Sequence, residues 1–401
     1  MTEKLWILFV CAGRWQFDAI LQAKKMGYQI IAIDSDENAQ GFELADKYFV
    51  IDISDTDKII EKITSLKINL GGVICIVSDS GQVAAAKIRE KFGLFGMSTQ
   101  VALNMTNKEI QRTMLRDQEG INIPKFLVTS EKISKAKIEK KIGYPCVVKP
   151  VDSAGSRGVS VVLNGDKITS SIREAISYSS NGRVIVEEYI DGKEYTIETF
   201  THNYKTDVLL ITEKGKIRNT LANELFSSNL LESELKLLNS FINRLFKILK
   251  YNYGAGHTEV IQRNTDGKFF LVESAGRGGG FMLSDLLVPL ASGYNINEAC
   301  VAQAMGKEPE MNSNFRSENR VLLRFIASKK GRIKSLKGFD QGDMIDNVET
   351  GCFLKVGDYT EDAIVDSNRV GFIAAKDKSF SNLFSIVENV EKNIKVEYYA
   401  D

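Results

Sequence analysis

Short, unbroken apolar runs recur through the first quarter of the chain, at Leu5–Val10, Gln29–Ile33, Tyr48–Ile51 and Gly72–Val77. Runs that are apolar on both faces mark buried parallel strands. Between them, Phe17–Met26, Thr56–Ser65 and Gln82–Phe92 carry apolar residues at helical spacing, the first stopped by Gly27. Strand alternating with helix predicts a doubly wound parallel sheet. Ligands of such sheets sit at the carboxyl ends of strands, here Cys11–Gln16, Asp34–Asp36 and Ser78–Ser80. Gly13 lacks the companions of a dinucleotide fingerprint, so these tips more simply frame a neighbouring site.

The pattern then changes. Thr99–Arg116 has helical spacing and carries Lys108. Strands are predicted at Lys125–Thr129, Pro145–Pro150, Val159–Leu163, Arg183–Tyr189 and Tyr195–Thr201. Glu232–Leu249 is an amphipathic helix, and Leu286–Leu290 and Ile296–Met305 complete a helical region. Polar Gly306–Asn319 reads as a boundary. From Arg320 to about Ala375, glycines punctuate a strand-rich segment, followed by a helix at Asn382–Asn393 and a strand at Ile394–Tyr399. The expected fold class is α/β (α+β). Its expected domains are a Rossmann-like unit over 1–97, a central unit over 98–310 and a small β-rich unit over 311–401.

The stretch richest in chemistry is Gly256–Phe281. Two apolar runs, His257–Arg263 and Lys268–Ser274, flank Asn264-Thr265-Asp266-Gly267, a strong hairpin signal. A three-residue loop with Gly267 in the left-handed region pairs Asn264 with Lys268, Glu259 with Glu273 and His257 with Ala275. Facing carboxylates lie roughly 5 Å apart at Cβ and destabilise a sheet unless something neutralises them. A hard divalent cation, Mg²⁺ first and Mn²⁺ in its place, is the natural candidate, with Glu259 and Glu273 as its ligands. Arg277 follows, a fixed guanidinium suited to a group that gathers negative charge during a reaction. Gly278-Gly279-Gly280 would let a ligand approach the backbone. A solvated hairpin edge with a glycine turn is the plain alternative.

Two further segments point the same way. Lys149 ends a strand and is followed by Asp152-Ser153-Ala154-Gly155-Ser156-Arg157-Gly158. This loop is no P-loop, since it lacks the Gly-Lys-Ser/Thr ending and no helix follows. Its amides can still wrap phosphate oxygens, with lysine at its base. Glu187-Glu188-Tyr189-Ile190-Asp191-Gly192-Lys193-Glu194 joins two strands as an extended linker that can offer backbone groups to an adenine edge and a carboxylate to ribose hydroxyls.

Composition narrows the field. With 52 basic and 52 acidic residues and a formal net charge of +0, nucleic acid and acidic membrane surfaces are not favoured partners. The five cysteines form no CxxC pair, which fits a reducing cytoplasm and no zinc site. Only His202 and His257 exist, against a histidine-rich metal site or a serine triad. Leu5–Ala12 follows Glu3 and leads into a folded unit, so it is read as a strand and not as a leader core.

Taken in order, Asn107-Lys108, Val148-Lys149-Pro150 with Gly155-Ser156-Arg157-Gly158, Glu187-Glu188-Tyr189-Ile190 with Glu194, and Glu259 with Glu273 and Arg277 resemble the ATP-grasp superfamily of ATP-dependent carboxylate ligases. The resemblance covers most of the chain. It is closest to the L-amino-acid ligase branch, and more distant from carbamoyl-phosphate synthetase and biotin carboxylase. It implies a central ATP-grasp domain of two α+β subdomains, with a lid over about 120–187. Lys108 and Lys149 would contact ATP phosphates, and Ser153, Gly155, Ser156, Arg157 and Gly158 would close over them. The Glu188 carbonyl and Ile190 amide would read adenine, while Glu187 and Glu194 would help hold adenine and ribose. Glu259 and Glu273 would bind Mg²⁺, with Arg277, Glu273 and His257 nearest the chemistry. Many relatives carry Asn where Ala275 stands, which puts a two-metal site in doubt. The implied reaction forms an acyl phosphate that an amine then attacks. The implied partners are a small-molecule carboxylate and an amine, with a homodimer as the default assembly.

Overall fold

The computed structural model describes residues 4–130, 133–216, 222–280, 282–309, 311, 319–340, 342, 345–363 and 368–399. The apolar runs at the start form β1 (Trp6–Val10), β2 (Gln29–Asp34), β3 (Lys47–Val50) and β4 (Leu70–Ile74). They are alternated with α1 (Phe17–Lys25), α2 (Thr56–Ser65) and α3 (Asp79–Phe92). Their order is β3-β2-β1-β4 and every pairing is parallel, as the alternation requires. Ser78 caps α3 by accepting the Gly81 N–H, which puts Asp79 in the first helical turn.

The single helix expected over Thr99–Arg116 is two helices, α4 (Thr99–Asn104) and α5 (Lys108–Leu115). Asn107 breaks it: its side chain accepts from the Glu109 and Ile110 amides, an N-cap that competes with helix continuation. The break places Lys108 at the start of α5.

A smaller unit follows, built from β5 (Phe126–Thr129), α6 (Lys135–Lys141), β6 (Cys146–Pro150), β7 (Ser160–Val162), α7 (Ile168–Ser177) and β8 (Val184–Glu188). Its antiparallel sheet runs β5-β8-β6-β7 and packs Val148, Val162, Val184 and Val186 against Ile138, Ile172 and Ala175 of the two helices. The helices α6 and α7 were not anticipated from the sequence.

The large sheet runs β13-β12-β9-β10-β11-β14-β18-β16. Its members are β9 (Gly192–His202), β10 (Lys205–Lys216), β11 (Ala222–Ser227), β12 (Tyr253–Arg263), β13 (Phe269–Ala275), β14 (Arg320–Ala327), β16 (Val348–Cys352) and β18 (Arg369–Asp377). Strands from the last quarter of the chain therefore extend the central sheet. A separate short sheet holds β15 (Gly331–Lys337), β17 (Tyr359–Thr360) and β19 (Lys395–Tyr398). The helix α8 (Glu232–Leu249) buries Leu238, Phe241, Ile242, Leu245 and Phe246 with Val260 and Leu271 of the hairpin. After the hairpin, a π-turn at Leu283–Leu287 runs into α9 (Val288–Ser292) and α10 (Ile296–Ala304). These helices share a core with Ile20 and Ala23 of α1 and Leu323 of β14, so the N-terminal sheet is packed onto the large one. The helix α11 (Phe380–Asn393) covers β14 and β18 through Leu383, Val387 and Val390. Among the described residues, no helix is long and apolar enough to cross a membrane.

Candidate active site

The small sheet and the large sheet enclose a cleft of about 1120 Å³. In the hairpin at its floor, Glu259 stands opposite Glu273 and His257 opposite Ala275, as expected. The route to that register differs from the expected one. Arg263, not Asn264, pairs with Lys268: its N–H donates to the Lys268 carbonyl at 2.9 Å, and the Gly267 N–H returns to the Arg263 carbonyl at 2.9 Å. The loop thus has four residues, 264–267, with Gly267 at φ 69°. An irregularity next to Glu259 then puts Val260 opposite Leu271, leaving Val272 as an extra residue. The loop and the bulge each shift the register by one residue in opposite senses, and the shifts cancel.

Each facing carboxylate has its own lysine. Lys108 Nζ lies 2.8 Å from Glu273 Oε2 and donates to the Ser153 carbonyl at 2.8 Å. Lys214 Nζ lies 2.6 Å from Glu259 Oε1 and 2.7 Å from Glu194 Oε1. These ammonium groups remove the like-charge repulsion that the hairpin alone would suffer. Burial works against the Glu259 carboxylate, but Lys214 and then His257 outweigh it and hold Glu259 well below the usual carboxylate range.

Lys149 Nζ sits 2.6 Å from Glu187 Oε2 and 3.2 Å from the Val272 carbonyl. Arg112 takes the other Glu187 oxygen at 2.6 Å and donates to the Leu271 and Val272 carbonyls. Glu187 is only 3 % exposed. It lines the cleft as a buried counter-ion between Lys149 and Arg112. Burial alone would raise its carboxyl, and Arg112 and Lys149 bring it below the usual range. Lys149 is itself lowered, first by burial and also by the neighbouring Arg112 and Lys108. Cations therefore crowd this end of the cleft, an arrangement that a polyphosphate would relieve.

At the other end, His257 Nδ1 lies 2.5 Å from Glu198 Oε1 and its Nε2 faces Glu259 Oε1 at 3.5 Å. Burial pulls the imidazolium down, but Glu198 and then Glu259 raise it to about 9. The second Glu198 oxygen accepts the Gly279 N–H at 2.9 Å. A Cβ on Gly279 would come within 2.5 Å of Glu198 Oε1 and 2.9 Å of His257 Nδ1. One on Gly278 would strike Ser284 Oγ at 2.1 Å. Two of the three glycines thus leave no room for a side chain. Arg277 Nε and Nη2 make a bidentate pair with Asp79 at 2.8 and 3.1 Å. The N-terminal unit therefore orients the guanidinium that the hairpin supplies.

The loop after β6 lines the cleft through Ser153, Gly155, Ser156 and Arg157. Gly155, Ser156 and Gly158 have φ of 66°, 59° and 71°, in the left-handed region. Gly158 itself lies against Tyr178 and Pro150. Glu188, Ile190 and Glu194 also line the cleft. Phe281, the last residue of the stretch richest in chemistry, lies outside the described residues.

Three residues of this site escaped the sequence reading, and a fourth was read without its partner. Arg112 is one turn beyond Lys108 on α5, a spacing that shares a face. Glu198 continues the alternation Glu194, Thr196, Glu198 along β9. Lys214 lies on β10, whose apolar and polar residues were not read as a strand. Asp79 was placed in a ligand-facing loop, without its partner.

The glutamate pair also fits a metal. Mg²⁺ is bound by one or two carboxylates together with substrate phosphates more often than by an all-protein cage. Facing Glu259 and Glu273 supply such a set, while no group of three or more His, Cys, Asp or Glu among the described residues is arranged to hold an ion alone.

Residues 142–285 match the family model described as "ATP-grasp domain". In sequence, the chain is 29 % identical over 216 residues to the formate-dependent phosphoribosylglycinamide formyltransferase of Wolinella succinogenes, covering 53 % of this chain and 54 % of that protein. The chain thus spans about half the length of the curated relatives it matches. In structure, it is similar to the L-amino acid ligase from Bacillus licheniformis, with a TM-score of 0.85, 20 % identity and 99 % of each chain covered. It is also similar to phosphoribosylglycinamide synthetase from Anaerococcus prevotii, with a TM-score of 0.77, 21 % identity and coverage of 99 % of this chain and 100 % of that one.

Proposed function

We propose that this chain, built around an ATP-grasp domain, is an ATP-dependent ligase that activates a substrate carboxylate as an acyl phosphate and joins it to an amine. The observation that carries the proposal is the convergence of Lys108, Lys149 and Arg277 on one cleft with the facing pair Glu259 and Glu273. Phosphoryl transfer needs positioning and charge neutralisation more than covalent help, and these side chains provide both.

In this reading Lys108 and Lys149 hold the phosphates, and Ser153–Gly158 closes over them. The Glu188 carbonyl and Ile190 amide take the adenine edge, and Glu194 the ribose. Glu259 and Glu273 hold Mg²⁺, which when bound neutralises phosphate charge and fixes its orientation. Arg277, aimed by Asp79, faces the charge that develops on the transferring group and then on the tetrahedral intermediate. His257, anchored by Glu198 and facing Glu259, stands beside the reacting groups.

A cleft of about 1120 Å³ exceeds the roughly 300–1000 Å³ of a single small-molecule site, which supports two substrates beside each other. Similarity over the whole chain to an L-amino acid ligase supports an amino acid as one of them. Similarity in sequence to formate-dependent formyltransferases supports a second reading, in which the carboxylate is as small as formate. Isothermal titration with Mg·ATP tests the nucleotide site before any substrate is known. Glu194→Ala and Lys149→Met should each weaken binding, and unchanged binding in both would contradict the proposal.

A further inference from the structure

Away from the cleft lining, two thiols meet at the carboxyl ends of adjacent strands. Cys11 follows β1 and Cys75 follows β4. Their side chains meet beside the start of α3. Both Sγ atoms crowd Gly81 in the first turns of α3: a Cβ there would sit 2.6 Å from Cys75 Sγ and 3.0 Å from Cys11 Sγ. Cys11 occupies φ 77°, where glycine is the usual residue.

Polar groups surround the Cys75 sulfur. Gln16 Nε2 donates to it at 3.6 Å, and the thiol donates to the Ser78 carbonyl at 3.5 Å. Arg89 is 2 % exposed and donates to the Val73 and Met97 carbonyls, and no carboxylate among the described residues pairs with it. A cavity of about 20 Å³ adjoins Cys75 and is lined also by Arg89, Tyr253 and Gln303. Arg89 Nε, Tyr253 Oη and Gln303 Oε1 are all buried there without a partner. Two donors and an acceptor around a space of this size need a small polar guest. Water satisfies them, and hydrogen peroxide offers the same hydrogen-bonding groups.

We propose that Cys75 and Cys11 are a peroxide-reactive thiol pair that closes to a disulfide. The Cys75 thiolate attacks one peroxide oxygen, forming an S–O bond and breaking O–O. The leaving hydroxide takes the Cys11 proton and departs as water. The Cys11 thiolate then attacks the Cys75 sulfenic acid, S–S forms, and the second hydroxide leaves as water after taking a proton from solvent. Two electrons pass from sulfur to peroxide, so two thiols and one peroxide give one disulfide and two waters. The contacts of the pair favour this order of roles. Although burial works against it, Cys75 is lowered by Cys11, the Ser78 and Val77 amides and Arg89, while Cys11 is raised by its contact with Cys75 and by burial.

Closure would act on the cleft. The carbonyl of Ile76, next to Cys75, accepts the Gly278 N–H at 2.9 Å, and Asp79, four residues on, holds Arg277. Drawing Cys75 towards Cys11 shifts the segment that orients that guanidinium.

The test uses the reduced, full-length protein with near-equimolar hydrogen peroxide, alkylation of remaining thiols and peptide mapping. The expected first product is a Cys11–Cys75 cross-linked peptide, with Cys75 consumed roughly tenfold faster than half-buried Cys352. Oxidation of Cys352 first, or of all five thiols at one rate, overturns the proposal. Cys11→Gly, which suits the local φ, should give no disulfide and should expose Cys75 sulfenic acid to capture by dimedone. An unreactive Cys75 in that variant also overturns it. These readouts do not depend on ligase activity. ATP turnover, once measurable, should fall several-fold on oxidation and recover with dithiothreitol, and unchanged turnover in the cross-linked protein would sever the link to the cleft.

Discussion

Glu273 touches both sides of the proposed chemistry, since it faces Glu259 across the hairpin and is held by Lys108. Glu273→Ala should lower ATP turnover by on the order of a thousandfold while leaving the fold intact. Turnover assays beside circular dichroism check this, and a normal rate would remove the metal assignment. Arg112→Ala acts differently. It leaves Glu187 buried beside a single cation and should cost about 3–5 kcal/mol of stability, read by urea unfolding. A third residue carries a pH signature. Burial, opposed by Asn297 and assisted by Asp18, raises the Asp285 carboxyl from 3.8 to about 7. The folded state therefore binds this proton more tightly than the unfolded state, and stability falls as pH rises from about 4 to 7. Asp285→Asn should raise the melting temperature clearly at pH 8 and little at pH 4, and an equal shift at both would contradict a buried, titrating carboxyl. Individual residues were legible in sequence where type and neighbourhood agree, as with Lys108, Lys149, Glu273 and Arg277. The pairing of Glu187 with Arg112 was not legible, because that cation comes from a helix 75 positions earlier in the chain.

At the level of elements, capping decides where the first lysine stands. Asn107 accepts from the Glu109 and Ile110 amides and starts α5 at Lys108. Asn107→Ala should cost about 1 kcal/mol and weaken Mg·ATP binding, while Asn107→Asp should recover most of the stability. Loss of stability with unchanged binding would show that the cap does not position Lys108. Apolar runs and helical spacing made the N-terminal strands, α8 and the hairpin readable. Helices α6 and α7 were missed because they are short and lie between loop-like polar stretches, and β10 and β11 because their half-buried faces mix charges such as Lys214 and Glu224 with apolar residues. The hairpin is the sharper lesson. Its facing glutamates were foreseen from a loop one residue too short, and a bulge at Val272 made good the difference. Turn chemistry is written in Asn264–Gly267, whereas nothing local in Phe269–Ala275 marks a bulge, which is settled by packing of Leu271 into the core and of Val272 towards the cleft.

Across the whole molecule, the site is assembled from parts far apart in the chain. The N-terminal unit contributes Asp79, α5 contributes Lys108 and Arg112, and the small sheet contributes Lys149 and Glu187. The large sheet supplies Glu194, Glu198, Lys214, His257, Glu259 and Glu273. The ordered motifs fixed which segments meet, but the pairings between them, Arg277 with Asp79 and Lys214 with Glu259, depend on packing that no local pattern encodes. The last quarter of the chain adds β14, β18 and β16 to the same sheet, and Phe325 and Arg369 from it line the cleft. The most direct measurement of the central claim is ADP release with Mg·ATP across a panel of amino acids, singly and in pairs, with formate and bicarbonate included. The account predicts release that requires two components, one supplying a carboxylate and the other an amine, and that yields an amide. Release driven by bicarbonate alone, or tight ATP binding with no release across the panel, would contradict it.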